Sequence, residues 1–243
     1  MSATDQEPGA VSSQGGLGED AKARATMYMF LARMFNERPD QALVRRLRSL
    51  GSEWIAQLAQ SIDLPDEAVC GLKDIARFIE GSTGAQEDEV AQSLAVDWTR
   101  LFRGVAPGYG PPPPYEGVYM PGDVEAAAVL QAVVTDYLKH DVVVSQDSVN
   151  RPDYIGLEFD FLALLAEREQ AAWDSGDTAA AAGKRSGAQE FFDQHAGCWV
   201  KLYCDQAIEQ AKTDFYRGLL RLTRGVVEEL THNGGNAGTS NPQ

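Results

Sequence analysis

Apolar residues recur at helical spacing along nearly the whole chain. In the first clear segment Met27, Phe30, Leu31, Met34 and Phe35 fall at positions i, i+3, i+4, i+7 and i+8. This spacing places all five side chains on one face of an α-helix. The chain is therefore predicted to begin its ordered part with an amphipathic helix.

Typical start and stop signals delimit the next helices. Asp40 and Ser52 each precede an apolar stripe and are suited to cap a helix. Pro65 opens a fourth helix, because proline fits the first helical turn. The acidic run Glu87–Glu89 begins a fifth helix, where the helix dipole favours negative charge, and that helix stops at Gly104.

The second half of the chain has the same character. Further helices are predicted from their apolar periodicity at 123–140, 152–174, 177–195, 197–211 and 213–231. The link 141–151 contains Val142–Val144, which has the composition of a short strand but no obvious partner. We expect a hinge in this link.

The predicted fold is one all-α domain of about nine or ten helices, with a proline-rich loop in its middle. It covers residues 19–231. Residues 1–18 and 232–243 are rich in Gly, Ser, Asn and Gln, and we expect both to be disordered tails.

Residues 104–122 form the longest irregular stretch. They contain six of the eleven prolines, at Pro107, Pro111–Pro114 and Pro121. Proline fixes φ and lacks a backbone donor, so we expect a stiff, extended surface loop. Such a segment is a structural turn or a ligand for proline-recognition domains. The second option makes the protein a non-catalytic helical adaptor, the alternative function that we keep open.

The charge of the chain narrows the choice of partners. There are 21 Lys and Arg against 36 Asp and Glu, a formal net charge of −15. Phosphate backbones and anionic lipids are repelled by such a protein, which makes nucleic acid and membrane surfaces poor partners. A basic peptide is attracted, with an association rate that falls as salt rises.

Cysteine usage and the N-terminal sequence predict a cytoplasmic protein. Cys70, Cys198 and Cys204 are odd in number and lack CxxC spacing, so no disulfide framework is indicated. The N-terminus has neither the basic nor the apolar region of a signal peptide, and no apolar run approaches the roughly 20 residues of a membrane span.

Sequence signals of catalysis and of cofactor binding are missing. The chain has no GxSxG, HExxH or Gly-rich phosphate loop. His195 with Cys198 and Cys204 gives three soft ligands without zinc spacing or a fourth ligand, so we expect no metal. A ferritin-like di-iron enzyme needs two Glu-x-x-His pairs on facing helices, which the chain does not supply. We expect no enzyme and no cofactor.

Aromatic rings and carboxylates flank the proline-rich loop. Trp98 and Phe102 are four residues apart near the end of a helix, so they share one helical face. They are either core residues or the wall of a groove for an apolar peptide side chain. Tyr115 and Glu116, at the end of the proline run, present a ring and a carboxylate to whatever the loop contacts.

Two further carboxylates follow the 141–151 link. Asp153, directly after Pro152, suits the first turn of a helix, where its charge faces the positive end of the dipole. Glu158 lies among apolar residues on the same predicted helix. It is either on a narrow polar face or partly buried and paired, and an incoming arginine could pair with it.

A last motif repeats an aromatic or His residue at every fourth position. It consists of Phe191, His195, Trp199 and Tyr203, with a helix break expected near 196–197 because of Gly197. We interpret it as an interhelical seam in which His195 is a hydrogen-bonded structural histidine.

In their order and spacing these motifs resemble the TorD/DmsD/NarJ family of cytoplasmic all-α chaperones, which mature molybdenum-cofactor oxidoreductases. The resemblance covers roughly residues 20–230. The family pattern around Trp98-x-x-Leu101-Phe102 precedes a proline-rich turn, as it does here. The family pattern E-P-x-D-H-x-x-x-E is matched at Asp153 and Glu158, but Tyr154 stands where the family has histidine.

The resemblance implies a chaperone specific for one oxidoreductase system. It would bind the N-terminal twin-arginine leader of the catalytic subunit, aid cofactor insertion, and proofread the subunit before export or assembly. The peptide-binding residues that it implies are Trp98, Phe102, Pro114, Tyr115, Glu116, Asp153, Tyr154 and Glu158. The identity of the client and the choice between a monomer and a domain-swapped dimer stay open.

Overall fold

The chain forms a helical domain in the computed structural model, which describes residues 8–61, 64–104, 108–120, 122, 124–145 and 147–237. Within these ranges it has ten α-helices and no strand, which confirms the predicted all-α class. The helices are α1 (Pro8–Asn36), α2 (Gln41–Ser61), α3 (Asp66–Gly81), α4 (Glu87–Phe102), α5 (Glu116–Tyr119), α6 (Ala126–Lys139), α7 (Ile155–Asp174), α8 (Thr178–Gln194), α9 (Ala196–Ile208) and α10 (Asp214–Ala237).

The predicted second and third helices together make up α2, as two helical segments that meet at a kink. Asp40 caps α2 as expected, because its Oδ1 accepts the backbone N–H of Leu43 at 2.8 Å. The two segments are separated by Gly51, whose backbone is not helical and whose φ of 65° lies in the left-handed region that glycine tolerates. The predicted cap at Ser52 falls on a side chain outside the described residues.

Two local predictions are wrong. Val142–Val144 forms no strand, and α7 begins at Ile155 rather than at Pro152. Tyr154 is the extended N-cap of α7, with φ −88° and ψ 135°. The segment before α7 pairs with the proline loop, because Ile155 N donates to the carbonyl of Pro114 at 3.1 Å. Asp153 therefore precedes the helix and does not lie in its first turn.

The tails fall partly outside the described residues. Residues 1–7 and 238–243 are not described, and their predicted disorder stays a prediction. Helical backbone of α1 and α10 extends into both predicted tails. None of the described helices combines the length and the apolar character needed to cross a membrane.

Two long helix pairs form the body of the domain. α1 packs along α7, and α3 packs along α10. α8 then covers α7, α9 covers α10, and α2 packs on α3. One contiguous apolar core joins these layers, and Phe35, Phe102 and Tyr216 are among its largest fully buried rings.

The α3–α10 pair is held at close range by glycines. A Cβ added at Gly71 would lie 2.5 Å from both the carbonyl oxygen of Gly218 and the amide nitrogen of Leu222. A Cβ at Gly225 would lie 2.6 Å from the amide nitrogen of Ala68. Because backbone atoms cannot move aside as side chains can, the two helices approach this closely only with glycine at the contact.

A buried carboxylate fixes the start of α10. Asp97, on α4, is 1% exposed. Its Oδ2 accepts the backbone N–H of Lys212 at 3.0 Å and that of Thr213 at 2.8 Å, together with the Thr213 hydroxyl at 2.9 Å. These amides precede the helix and have no partner within it, so Asp97 acts as a capping group supplied by a distant element.

The glycine contact predicts a large effect of a single methyl group. We expect Gly71→Ala to lower the free energy of unfolding by at least about 2 kcal/mol, because α3 and α10 must move apart. Gly183→Ala is the matched control: this glycine is also helical, and a Cβ there meets nothing within 4 Å. That control should raise stability by roughly 0.5–1 kcal/mol. Urea denaturation of both variants measures this, and equal effects would contradict the packing argument.

Candidate functional site

The proline loop is fastened to the core by hydrogen bonds. The Tyr119 hydroxyl donates to the carbonyl of Pro112 at 2.7 Å. Glu116 N donates to the carbonyl of Asp153 at 2.8 Å, and Tyr115 and Tyr154 form an isolated antiparallel bridge. The loop and the start of α7 are thus joined as one small unit.

Its proline rings are only partly exposed. Pro111 and Pro114 are buried, while Pro112 is exposed. Recognition by a proline-binding domain needs exposed rings along one ridge of the segment. The geometry therefore favours the structural turn over the adaptor alternative.

A histidine lies between two buried carboxylates beneath this loop. Nδ1 of His195 is 3.0 Å from Oε2 of Glu116, and Nε2 is 2.9 Å from Oδ2 of Asp136. The three residues are 3%, 1% and 9% exposed. His195 connects α8 to α9 with non-helical angles of φ −122° and ψ −97°. The predicted break in the aromatic stripe therefore serves to place this ring.

The electrostatics favour a charged imidazole. Burial lowers the pKa of His195, but hydrogen bonds and charge from Glu116 and Asp136 outweigh it, so that the pKa is raised above its usual value. The pKa of Asp136 is lowered: burial opposes this, and Lys139 and His195 outweigh burial. Both ring nitrogens face carboxylate oxygens, which is the arrangement that an imidazolium, with two donors, satisfies.

A third carboxyl group is buried beside the first. Glu158 is fully buried, and its Oε2 accepts the indole N–H of Trp199 at 3.1 Å. Burial, followed by the charge of Glu116, raises the pKa of Glu158 well above its usual range. As a carboxylate its Oε1 has no hydrogen-bond partner. A protonated Glu158 resolves this, because it can donate to Glu116, which it contacts.

At the surface next to this network, Asp153 holds an arginine. Nε and Nη2 of Arg151 donate to Oδ1 and Oδ2 of Asp153 at 3.0 and 2.8 Å. The guanidinium carbon lies 4.6 Å from the centre of the Tyr115 ring. Asp153 also accepts the amide of Gly117 at 3.3 Å and is itself 0% exposed.

An apolar groove lies beside α7, the helix that follows this segment. It encloses about 250 Å³ between residues 142–145, Ser148, α6 and α7. The residues that line it are Tyr137, Val142, Val144, Ser145, Ser148, Leu157, Asp160, Phe161 and Leu164. The Tyr137 hydroxyl donates to the carbonyl of Pro152 at 3.0 Å, which connects the groove wall to the segment that carries Asp153.

The structure buries most of the predicted peptide-binding residues. Seven of the eight are buried: Trp98, Phe102, Pro114, Glu116, Asp153, Tyr154 and Glu158. Tyr115 is half-buried. The indole N–H of Trp98 and the hydroxyl of Tyr154 both donate to the carbonyl of Phe35, at 3.2 and 2.9 Å. In this conformation a bound peptide can contact the Tyr115 ring. The seven buried residues position the surface around that ring. Their assignment to the peptide site stays a prediction.

Several important residues were not predicted from the sequence. Asp136, Arg151 and Tyr137 were not singled out, and His195 was predicted as hydrogen-bonded without its partners. A signal existed for Asp136, since it follows the apolar positions Val129 and Val133 on the buried face of α6. The described residues contain no group of three or more His, Cys, Asp or Glu side chains that could hold a metal ion.

Comparison with known proteins gives two matches. The model of the nitrate reductase delta subunit family matches residues 62–205. A selenate reductase assembly chaperone protein of Thauera selenatis is 34% identical over 86 residues, or 35% of this chain. The chain spans 43% of the length of that relative. The family match includes the groove and the whole buried carboxylate–histidine network.

The buried carboxyl group predicts a specific pH dependence of stability. Burial raises the pKa of Glu158 in the folded protein, which favours a bound proton there, whereas an unfolded chain releases that proton near a pKa of about 4.3. This proton stabilises the folded protein fully below about pH 4, and its contribution is lost as the pH rises toward the folded pKa. Glutamine is neutral at every pH. The free energy of unfolding of Glu158→Gln, relative to wild type, should therefore increase by at least about 1 kcal/mol between pH 5 and pH 8.

Urea denaturation at several pH values measures this difference. Glu209→Gln, which removes an exposed carboxylate at the end of α9, is the control and should give a curve parallel to that of the wild type. A pH-independent difference for Glu158→Gln would mean that Glu158 is ionised in the folded protein.

Proposed function

The chain belongs to the nitrate reductase delta subunit family, the TorD/DmsD/NarJ group that its motifs resemble, and we propose that it is an assembly chaperone for a molybdenum-cofactor oxidoreductase. The family and the selenate reductase relative are assembly chaperones and not catalysts. The observation that carries the proposal is the family match over residues 62–205. This segment contains the groove, Arg151 with Asp153, and the buried carboxylate–histidine network.

The client segment is the N-terminal twin-arginine leader of the catalytic subunit. Such a leader places a basic pair before an apolar stretch. The molecule offers matching features: an acidic overall charge of −15 for the basic part, and an apolar groove of about 250 Å³ for the apolar part. Asp160 lines the groove and adds a carboxylate to its wall. Long-range attraction speeds association, and apolar burial holds the complex.

Binding of this kind suits a chaperone that must later release its client. Micromolar affinity corresponds to about −8 kcal/mol and still allows release within a short time. The chaperone would retain the catalytic subunit in the cytoplasm until its cofactor is inserted, and so delay export or assembly.

Affinity purification from the native host tests the function as a whole. The tagged chain, expressed during anaerobic respiration, should enrich one molybdenum-enzyme catalytic subunit that still carries its leader, identified by mass spectrometry. Recovery of the subunit only in its leader-cleaved form would contradict leader binding. Enrichment of proteins with proline-recognition domains instead would support the adaptor alternative.

Neighbouring valines provide a matched test of the groove. Val144 lines the groove, whereas Val143 is 78% exposed and does not line it. We expect Val144→Asn to weaken binding of a labelled twin-arginine leader peptide roughly tenfold, since a methyl-lined contact becomes polar. Val143→Asn makes the same chemical change outside the groove and should leave affinity within about twofold. Fluorescence anisotropy at fixed ionic strength measures both. Equal loss in the two variants would remove the groove from the binding site.

A further inference from the structure

Asp153 and Tyr115 together form a site shaped for a guanidinium group, which we name the arginine cage. The buried carboxylate of Asp153 accepts two parallel N–H bonds, and the Tyr115 ring lies against the planar cation. A bidentate carboxylate combined with an aromatic face is selective for arginine. The ammonium of lysine cannot form the fork and stacks less well.

The arginine in this cage belongs to the chain itself and is partly exposed to solvent. Arg151 lies two residues before Asp153, on the irregular segment ahead of α7, and its side chain is 49% exposed. The side chain of Arg151 is held by its hydrogen bonds to Asp153 and by its contact with the Tyr115 ring. Its side chain can therefore swing into solvent without breaking the core.

Removal of this arginine leaves a charge that needs a partner. Asp153 is 0% exposed, and a buried carboxylate without a counterion is costly. The Gly117 amide, at 3.3 Å, then remains as its neutral donor. An arginine from another molecule could make the contacts that Arg151 makes.

We propose that the arginine cage binds an arginine side chain of the client peptide, and that Arg151 is a built-in competitor that occupies the cage until the client displaces it. This inference rests on the proposed function and adds to it the subsite for one leader arginine and the contact that regulates access. Because only molecules with an empty cage accept the client, the apparent affinity is reduced by the fraction of molecules in that state.

Removal of the competitor tests the inference. The full chain with Arg151→Ala should bind a labelled peptide that carries an Arg-Arg pair before an apolar run about tenfold more tightly than wild type. The same peptide with Lys-Lys should bind both proteins equally. Arg151→Gln, which keeps a hydrogen-bond donor for Asp153, is the second variant should Arg151→Ala fail to fold. Arg77→Ala is the charge-matched control, since it removes an arginine paired with Asp74 on α3.

Each outcome of the peptide experiment decides the point. A gain for Arg-Arg that is absent for Lys-Lys and larger than the gain in Arg77→Ala supports the cage. An unchanged or weaker affinity of the Arg151 variants for the Arg-Arg peptide overturns it, because a competitor cannot be removed without a gain.

A small probe separates this inference from the proposed function. Arginine methylamide at millimolar concentration should shift the NMR signals of the Tyr115 ring in Arg151→Ala but not in wild type, and Asp153→Asn in the same background should abolish the shift. Such binding without any leader binding would uphold the cage and contradict the chaperone proposal. Leader binding to wild type, with no shift in Arg151→Ala, would overturn the cage and leave the proposed function intact.

Discussion

The structure depends on a buried histidine held between two carboxyl groups from separate helices. His195, at the junction of α8 and α9, joins Glu116 at the start of α5 to Asp136 near the end of α6. Loss of His195 leaves the buried carboxyl group of Glu116 without its cation, and removal of one partner from a buried ion pair typically costs about 3–5 kcal/mol. α5 is a single turn with little surface of its own. The network therefore fixes where the proline loop lies, together with the hydrogen bonds that join the loop to Tyr119 and to the start of α7.

Each buried acid is next in the chain to a residue that shapes the surface. Glu116 follows Tyr115 of the arginine cage, and Asp136 precedes Tyr137 of the groove wall. Glu158 follows Leu157, which lines the same groove. A network that fixes these three backbone positions also fixes the rings and apolar side chains beside them. The buried acids thus position the surface from behind without being exposed to a ligand.

Local patterns in the sequence predicted much of the fold and less of the site. The i, i+3, i+4 stripes located most of the helices, because each stripe contains its own signal. The partners of His195 lie 79 and 59 residues away in the chain, which no local pattern can connect. Asp153 looked like a residue of the first helical turn, but pairing of Ile155 with Pro114 starts the helix later. The sequence therefore identified several residues of the site, but it did not predict their burial or their hydrogen-bond partners.

An internal competitor reconciles selectivity with release. Client arginine and Arg151 make the same two contacts, so competition lowers affinity for every arginine ligand by the same factor. The cage itself still selects arginine over lysine, because the Asp153 fork and the Tyr115 face set that preference. When the client arginine leaves, Arg151 can refill the cage from two residues away, which prevents immediate rebinding. Weak net affinity can thus coexist with strict recognition, as a chaperone that must release its client requires.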